Sequence, residues 1–536
     1  MHFNPGNITK SLLLRENRFP ILLAGAFFAG FLVLGLLTFR DYGTYIDEPN
    51  QIQIGHRTVA FLRTGDAKEL DFPDWEHGPA FEALTVYTGI ILPRNYPYYD
   101  VYYIRHLDVF LSFWVGCLAF FWLVRKKFKS WKMGLLGSAF LVASPVIFGN
   151  AFYNSKDIPF LAVYIISLCT LTLFLERPGW LTAAAHAFIC GYLVNIRIPG
   201  IVIPALTLGL VALELVLPKR YRHYPNLKRL LPAVIIFTVL CIGFIILFFP
   251  ASWSNPFQRF IDAYIAMTHR SWTCCFNLFM GQHITSEIIP WYYIPVWMGI
   301  STPIFYVGLF LVGLVVTLAG FLRRPWLDLA LEKREGLVYL GTLFVPLIVI
   351  IAGRATVYNG WRHMYFIYVP FLVIALDGLV FLYRWIGARL SVRLAGGLVG
   401  LAVLISLVTT VVPMIQSHPY ENIYFNFLAG NDMAQIKQNY ELDYWGLPYV
   451  AALRYVLAHD PRPSIVISSN QGHILDYSVM LPAQDLARFK YVDDPGNSNY
   501  YITNYYMHPE NYNYPNEIYS IKIGDASILS IFKMNP

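Results

Sequence analysis

Eleven runs of predominantly apolar residues, most of them about twenty long, succeed one another through the first 414 positions of this chain of 536 residues. About twenty such residues are what a helix needs to cross bilayer hydrocarbon, where only helices and closed barrels satisfy their own backbone. The runs fall near 19–39, 107–124, 133–149, 158–175, 180–196, 198–217, 230–250, 292–320, 336–353, 365–383 and 395–414. Composition agrees: 56% of residues are hydrophobic and only 14% charged, against roughly 25% charged in soluble domains. The chain therefore reads as an α-helical polytopic membrane protein. Its first run, Phe19 to Phe39, lacks a small-residue cleavage site and reads as a true spanning helix. The fifth and sixth runs are separated only by Asn195-Ile196-Arg197-Ile198-Pro199-Gly200, the one apparent helix break.

Lysine and arginine set the expected orientation. Arg125-Lys126-Lys127-Phe128-Lys129, Lys219-Arg220-Tyr221-Arg222, Arg323-Arg324, Lys333-Arg334, Arg384, Arg389 and Arg393 all fall on one side, together with Lys10, Arg15 and Arg18. That side is expected to be cytoplasmic, in the plasma (inner) membrane. Loops 40–106, 150–157 and 251–291 and the tail from 415 then lie outside. The net charge of +7 resides in anchoring loops and does not point to nucleic acid. Cys117, Cys169, Cys190 and Cys241 sit inside spans and Cys274-Cys275 are adjacent, so the six cysteines give no disulfide framework.

Two domains are expected: residues 1–414 in the membrane and 415–536 outside. The second region is polar and rich in Tyr and Asn. It carries strand-like runs at 464–468 and 518–522 and a helical stretch at 447–458, a small α/β module.

Chemistry concentrates in the external loops. Asp47 and Glu48 follow the first span and precede Pro49, which suits the first position of a helix. Ile52, Gly55, Val59 and Leu62 then form one apolar stripe, which would let that helix lie along the membrane surface. An acid there either caps the helix or acts as a general base. The same loop supplies Asp74-Trp75-Glu76-His77-Gly78-Pro79 and ends at Arg105-His106. Lys156 and Asp157 close the second external loop, and Arg354, Arg362 and His363 reach the same face. Charged groups at span ends are often plain interfacial anchors. Both signs gathered from several loops also suit a phosphate, which Arg and Lys can hold, beside a carboxylate that takes a proton. There is no nucleotide-binding glycine loop, so a phosphate-bearing donor would be membrane-borne. His56, His77 and His106 match no strong ligand spacing, so a divalent metal is not indicated and stays only a minor alternative.

The chain resembles GT-C glycosyltransferases, most closely the family 39-like group of protein O-mannosyltransferases and lipid A aminoarabinose transferases. The resemblance rests on Tyr45-Ile46-Asp47-Glu48, on Glu76-His77-Gly78-Pro79 in place of a His/Lys-Pro-Pro, on Arg105, on Lys156-Asp157 and on the span count. Asn359-Gly360-Trp361-Arg362-His363, His418 to Asn426 and Glu441 to Leu447 resemble a bacterial subgroup. The resemblance implies an inverting hexosyl or pentosyl transfer from a polyprenyl-phosphate sugar to an envelope glycan, lipid or protein on the external face. It makes Asp47 the general base and Glu48 its organising neighbour. Tyr45, His77, Arg105, Lys156, Asp157, Arg354, Arg362 and His363 are then candidates for substrate binding. Gly78 departs from the pattern where a proline is usual. A transporter or flippase of a lipid-linked or anionic solute is the alternative, since one span is broken; a non-catalytic scaffold is a third reading.

Overall fold

The computed structural model describes residues 18–72, 74–90, 100–216, 227–268, 276–286, 289–322, 331–472 and 474–534. The basic stretches 219–222 and 323–324 and the Cys274-Cys275 pair lie outside them. Helices α1 (Arg18–Thr38), α2 (Glu48–Thr64), α3 (Ala80–Ile90), α4 (Asp100–Phe128), α5 (Trp131–Val142) and α6 (Asp157–Glu176) make the first half. They are followed by α7 (Trp180–Val194), α8 (Val202–Val216), α9 (Leu227–Leu247) and α10 (Pro256–Thr268), then a hairpin of β1 (Phe276–Phe279) and β2 (Gln282–Thr285). Helices α11 (Tyr293–Ile300), α12 (Ile304–Leu322), α13 (Leu331–Ala352), α14 (Tyr368–Arg389) and α15 (Val392–Ser417) complete the membrane part.

Among the described residues, 9 helices are long and apolar enough to cross a membrane; Trp131–Val142 and Trp180–Val194 are shorter apolar helices. Together they account for the eleven expected runs, several of which are interrupted. The run at 133–149 stops at Ser144 and restarts with Pro145, as proline permits at a first helical position. The run at 292–320 breaks at Ser301-Thr302-Pro303 between α11 and α12. The gap at 195–197 is an unwound turn before a short 3-10 segment, Ile198–Ile201. Helices α12 and α14 pack so closely that a Cβ on Gly313 or Gly378 would collide with a carbonyl of the partner helix, the small-residue packing common in membranes.

Helix α2 differs from expectation. Ile52, Gly55 and Val59 are buried, and Gly55 backs onto the Glu82 carbonyl of α3. Leu62, at 44% exposed, alone of the four faces outward. The stripe is covered by protein, because α3 offers a nearer apolar partner than lipid does.

The chain after α15 first runs irregularly from 418 to 447. Its residues Tyr420, Ile423, Tyr440, Trp445 and Leu447 join the core of the membrane part, and a short helix α16 (Met433–Asn439) is its one helical turn-pair. Helix α17 (Tyr449–His459) and strands β3 (Ile465–Ser469), β4 (Phe489–Tyr491), β5 (Tyr500–Thr503), β6 (Glu517–Ile523) and β7 (Ala526–Lys533) then build the α/β module. The sheet order is β4-β3-β5-β7-β6, with β3 parallel to β4 and β5, and β7 antiparallel to β5 and β6. Leu453, Ile467, Ile502 and Leu529 form its separate core. Both expected strands and the expected helix are present.

Candidate active site

The adjacent acids Asp47 and Glu48 go to different places. Glu48 is 0% exposed. Its carboxylate accepts the Thr44 hydroxyl at 2.7 Å and lies 3.4 Å from His106 Nε2 and 3.7 Å from Arg105 Nε. Arg105 in turn donates to Glu82 at 2.6 Å, to Thr85 at 2.5 Å and to Ser155 at 3.3 Å. Ser155 donates to Glu82 at 2.7 Å and pairs with the Tyr45 hydroxyl at 3.1 Å. Buried charges are tolerated only when paired in this way. The network joins α2, α3 and α4 beneath the surface, so Glu48, Arg105 and Tyr45 brace the site from below.

Asp47 precedes α2 without capping it through its side chain, which leaves the carboxylate free to point elsewhere. It is 37% exposed and 4.0 Å from Arg362 Nη2. Arg362 is fixed by an unusual turn: Asn359 and Gly360 have φ of 58° and 70°, and their N–H groups donate to Asn277 and the Tyr293 hydroxyl. Trp361 then donates to Ser301 at the α11–α12 break. The guanidinium, 4% exposed, reaches Asp157 at 3.5 Å and lies over the rings of Tyr358 and Trp445, 5.0 and 4.9 Å from their centroids. Such stacking suits arginine specifically.

Asp157 is the hub of the cations. It begins α6, where Asn154 caps it by accepting its N–H at 2.9 Å and donating to its carboxylate at 3.0 Å. The carboxylate pairs with both Arg362 and Arg197. Lys156 is beside it. Burial pushes the Lys156 ammonium down to about 7; Asp47 opposes this, while Arg197 and Arg362 add to it. Lys156, Arg197 and Arg362 thus bring three cations to one place against the buried Asp157 and the half-exposed Asp47. His363 belongs to the same field, with Arg362, Arg197, Lys156 and His77 acting on its ring and Tyr358 edge-on at 4.9 Å.

The segment after α15 supplies the roof. Trp445 packs tilted against the Tyr45 ring, centroids 4.7 Å apart, and its carbonyl accepts the Ile46 N–H at 3.2 Å. Asp443 holds the turn by accepting the N–H groups of Trp445 and Gly446 at 3.3 and 3.0 Å and the Asn504 amide at 3.1 Å. Burial pushes the Asp443 carboxyl up to about 6 against those bonds. The α/β module therefore fixes the tryptophan that covers Arg362.

The half-buried His77 contacts the Asp74 carbonyl through Nδ1 at 3.2 Å. Asp74, Glu76 and His77 place one ligand atom each within 4.8 Å of one another, a set that could hold a divalent cation. The departure at Gly78 has a steric cause: a Cβ there would strike the Asn195 carbonyl, which accepts the Ala80 N–H at 3.2 Å. Arg354 is exposed with φ of 47° and makes no ion pair among the described residues; it stands apart from the group. Arg197, Glu82 and Trp445 were not among the sequence candidates. The signal for Arg197 was present, a lone cation in a span break, where irregular backbone normally lines a functional cavity.

A scan against known protein families finds no match, and no curated protein matches the sequence. Among solved structures, the chain is similar to crystal structures of ArnT from Cupriavidus metallidurans. The apo form matches with a TM-score of 0.45 and 14% identity, over 96% of this chain and 100% of that one. The form bound to undecaprenyl phosphate gives 0.44 and 14%, over 95% and 98%.

Proposed function

We propose that this protein is a membrane glycosyltransferase that moves one sugar from a polyprenyl-phosphate carrier to a hydroxyl acceptor on the external face, with inversion. The observation that carries this reading is the half-exposed Asp47 carboxylate, which faces Arg362 and acts on Lys156, with Arg197 joined to Arg362 through Asp157. In the reaction the acceptor O–H gives its proton to the Asp47 carboxylate. The acceptor oxygen bonds to the anomeric carbon from the face opposite the phosphate. The carbon–oxygen bond to the phosphate breaks, and the released phosphate keeps the electron pair. Charge on that leaving phosphate is what the three cations stabilise, because charge-assisted bonds in a dry site strengthen as the charge develops.

Glu48 acts indirectly, holding Arg105 and His106 so that the start of α2 keeps Asp47 at the opening. His77 and His363 line the donor side, and Trp445 closes the site from above. Residues 1–414 are taken as the catalytic membrane domain and 415–536 as the external region, whose stretch 418–447 packs into the core of the membrane domain. A cation held by Asp74, Glu76 and His77 would add positive charge beside the phosphate.

The test is Asp47→Asn, assayed for sugar transfer from a polyprenyl-phosphate monosaccharide in nanodiscs. Loss of about 100-fold or more is the expected cost of a missing general base; full retained activity removes Asp47 from that role. Movement of the lipid-linked sugar across the bilayer by wild type, without transfer, favours the transporter reading.

A further inference from the structure

Helix α10 divides its surface three ways. The Asn255 side chain, just ahead of it, accepts the Gln258 N–H at 3.3 Å, as an N-cap does. One side packs inward: Ala263 is fully buried and the Phe260 ring lies edge-on to Phe249 at 6.5 Å. A second side is polar, with Gln258, Arg259 and Asp262, and the Gln258 amide donates to Asp262 at 2.8 Å. The third is apolar and faces outward. Phe257 is 78% and Ile261 37% exposed, one turn apart on the same side, and Tyr264 and Ile265 follow at the next turn. A helix lying flat at a membrane surface against the flank of its own protein needs these three sides.

The depth of α10 follows from α9. That helix is long and apolar enough to cross the membrane, and its Ile235, Val239 and Ile242 are exposed, which within a span means exposed to lipid. A 3-10 turn, Pro250–Ser252, follows, and the Trp253 indole folds back to donate to the Ile246 carbonyl at 2.8 Å. It takes up one of the carbonyls that a helix end leaves open, at the membrane–water boundary where tryptophan is enriched. Trp253 is itself 43% exposed and stands four residues before Phe257. Towards the protein, the Arg259 guanidinium lies over the Trp75 ring at 4.6 Å. Trp75 also stacks on Phe249 at 6.2 Å and comes two residues before His77.

We infer that α10 is an interfacial helix: Trp253, Phe257 and Ile261 lie in the phospholipid leaflet at the candidate-site end of the bundle, and the helix so seated holds the Trp75–His77 loop through Arg259 and Phe249. The partner is the boundary between headgroups and acyl chains, not a second copy of the chain, because the apolar stripe continues a lipid-facing span and has a polar side next to it for water. Arg259 and Asp262 balance in charge, so the helix needs no anionic headgroup. The seating is independent of the transfer reaction; its use, keeping the His77 loop where a lipid-borne phosphate arrives, rests on the proposed function.

The experiment uses the full chain in phosphatidylcholine nanodiscs, doped in turn with a phospholipid carrying a photoactivatable diazirine near the glycerol or at the chain end. Labelled peptides are mapped by mass spectrometry. The shallow probe should label residues 253–261 at least about fivefold over the chain-end probe, as for a helix lying about 5–10 Å deep, while α9 around Val239 shows the reverse preference. Replacing part of the phosphatidylcholine by phosphatidylglycerol leaves the labelling unchanged. Phe257→Glu with Ile261→Glu abolishes it and raises deuterium uptake at residues 74–78 at least about threefold through local opening; Phe257→Leu with Ile261→Leu keeps both at wild-type values. Absence of shallow labelling at 253–261 in wild type, labelling that requires the anionic lipid, or unchanged uptake at 74–78 in the glutamate variant each overturns the proposal. If the glutamate variant does not fold, wild-type labelling decides the seating, and Arg259→Ala, with the same rise in uptake expected, decides the hold on the loop.

Discussion

Arg362 serves two carboxylates and, in the proposed reaction, the phosphate, so replacing it separates stability from binding. Arg362→Gln keeps length and some hydrogen bonding but removes the charge. The contact with Asp47, at 4.0 Å with Asp47 37% exposed, is loose and screened and contributes little to stability. The contact with buried Asp157, at 3.5 Å, matters more. Breaking a buried pair outright costs roughly 3–5 kcal/mol. Here Arg197 still neutralises Asp157, so the loss of stability should stay well below that range. The donor phosphate would keep Lys156 and Arg197 but lose the bond from Arg362 outright. One charge-assisted hydrogen bond is worth about 1.5–3 kcal/mol, which corresponds to roughly 10- to 150-fold in affinity. Binding of undecaprenyl phosphate to protein in nanodiscs, measured beside thermal unfolding, gives both numbers. Arg354→Gln, at an exposed position apart from the group, serves as the control. Affinity within twofold of wild type for Arg362→Gln, or an equal loss in Arg354→Gln, would refute the placement of the phosphate.

Three further outcomes follow from the charge arrangement. Lys156 is held down to about 7, so it is charged below that pH; undecaprenyl phosphate affinity should fall as pH rises through about 7, and Lys156→Met should flatten that dependence. His418 is raised to about 9, chiefly by its 2.7 Å bond to Glu421 and further by Asp41 against burial. Its stabilising effect is complete below the ordinary value near 6.5 and disappears as pH rises through about 9, so His418→Gln should lower the unfolding temperature at pH 6 and match wild type at pH 10. Arg105→Met leaves Glu48 and Glu82 buried without their cation and should cost about 3–5 kcal/mol; an unchanged unfolding temperature would mean that the network does not brace α2 to α4.

Much of this was legible in the sequence, for definite reasons. Hydrocarbon demands long apolar helices, so the spans announce themselves, but the breaks at Pro145 and Pro303 go beyond the one break expected at 195–200. Lys156-Asp157 and Trp361-Arg362-His363 stood out as charges at span ends. The resemblance gave Asp47 and Glu48 different roles, but the burial of Glu48 has no local signal, because only the packing of α2 on α3 decides which of two adjacent acids turns inward. Glu82 carries no local signal, because its partner Arg105 lies 23 positions later. Trp445 belonged to a recognisable stretch, but its seat over Arg362 depends on Asp443 and Asn504, a contact across 61 positions that no local pattern encodes.

The turn at 195–197 also bears on how the molecule is made. Its carbonyl at Asn195 takes the N–H of Ala80, so a loop delivered early must wait until the seventh helix has been inserted. Arg197 arrives with that helix, Arg362 much later, and Trp445 near the end of synthesis. A nascent chain released before residue 362 possesses Asp47, Lys156 and Arg197 but lacks Arg362 and Trp445, so the proposed phosphate site would be unfinished. On the proposed function, the place for the carrier phosphate would be complete only in a chain made almost to its last domain.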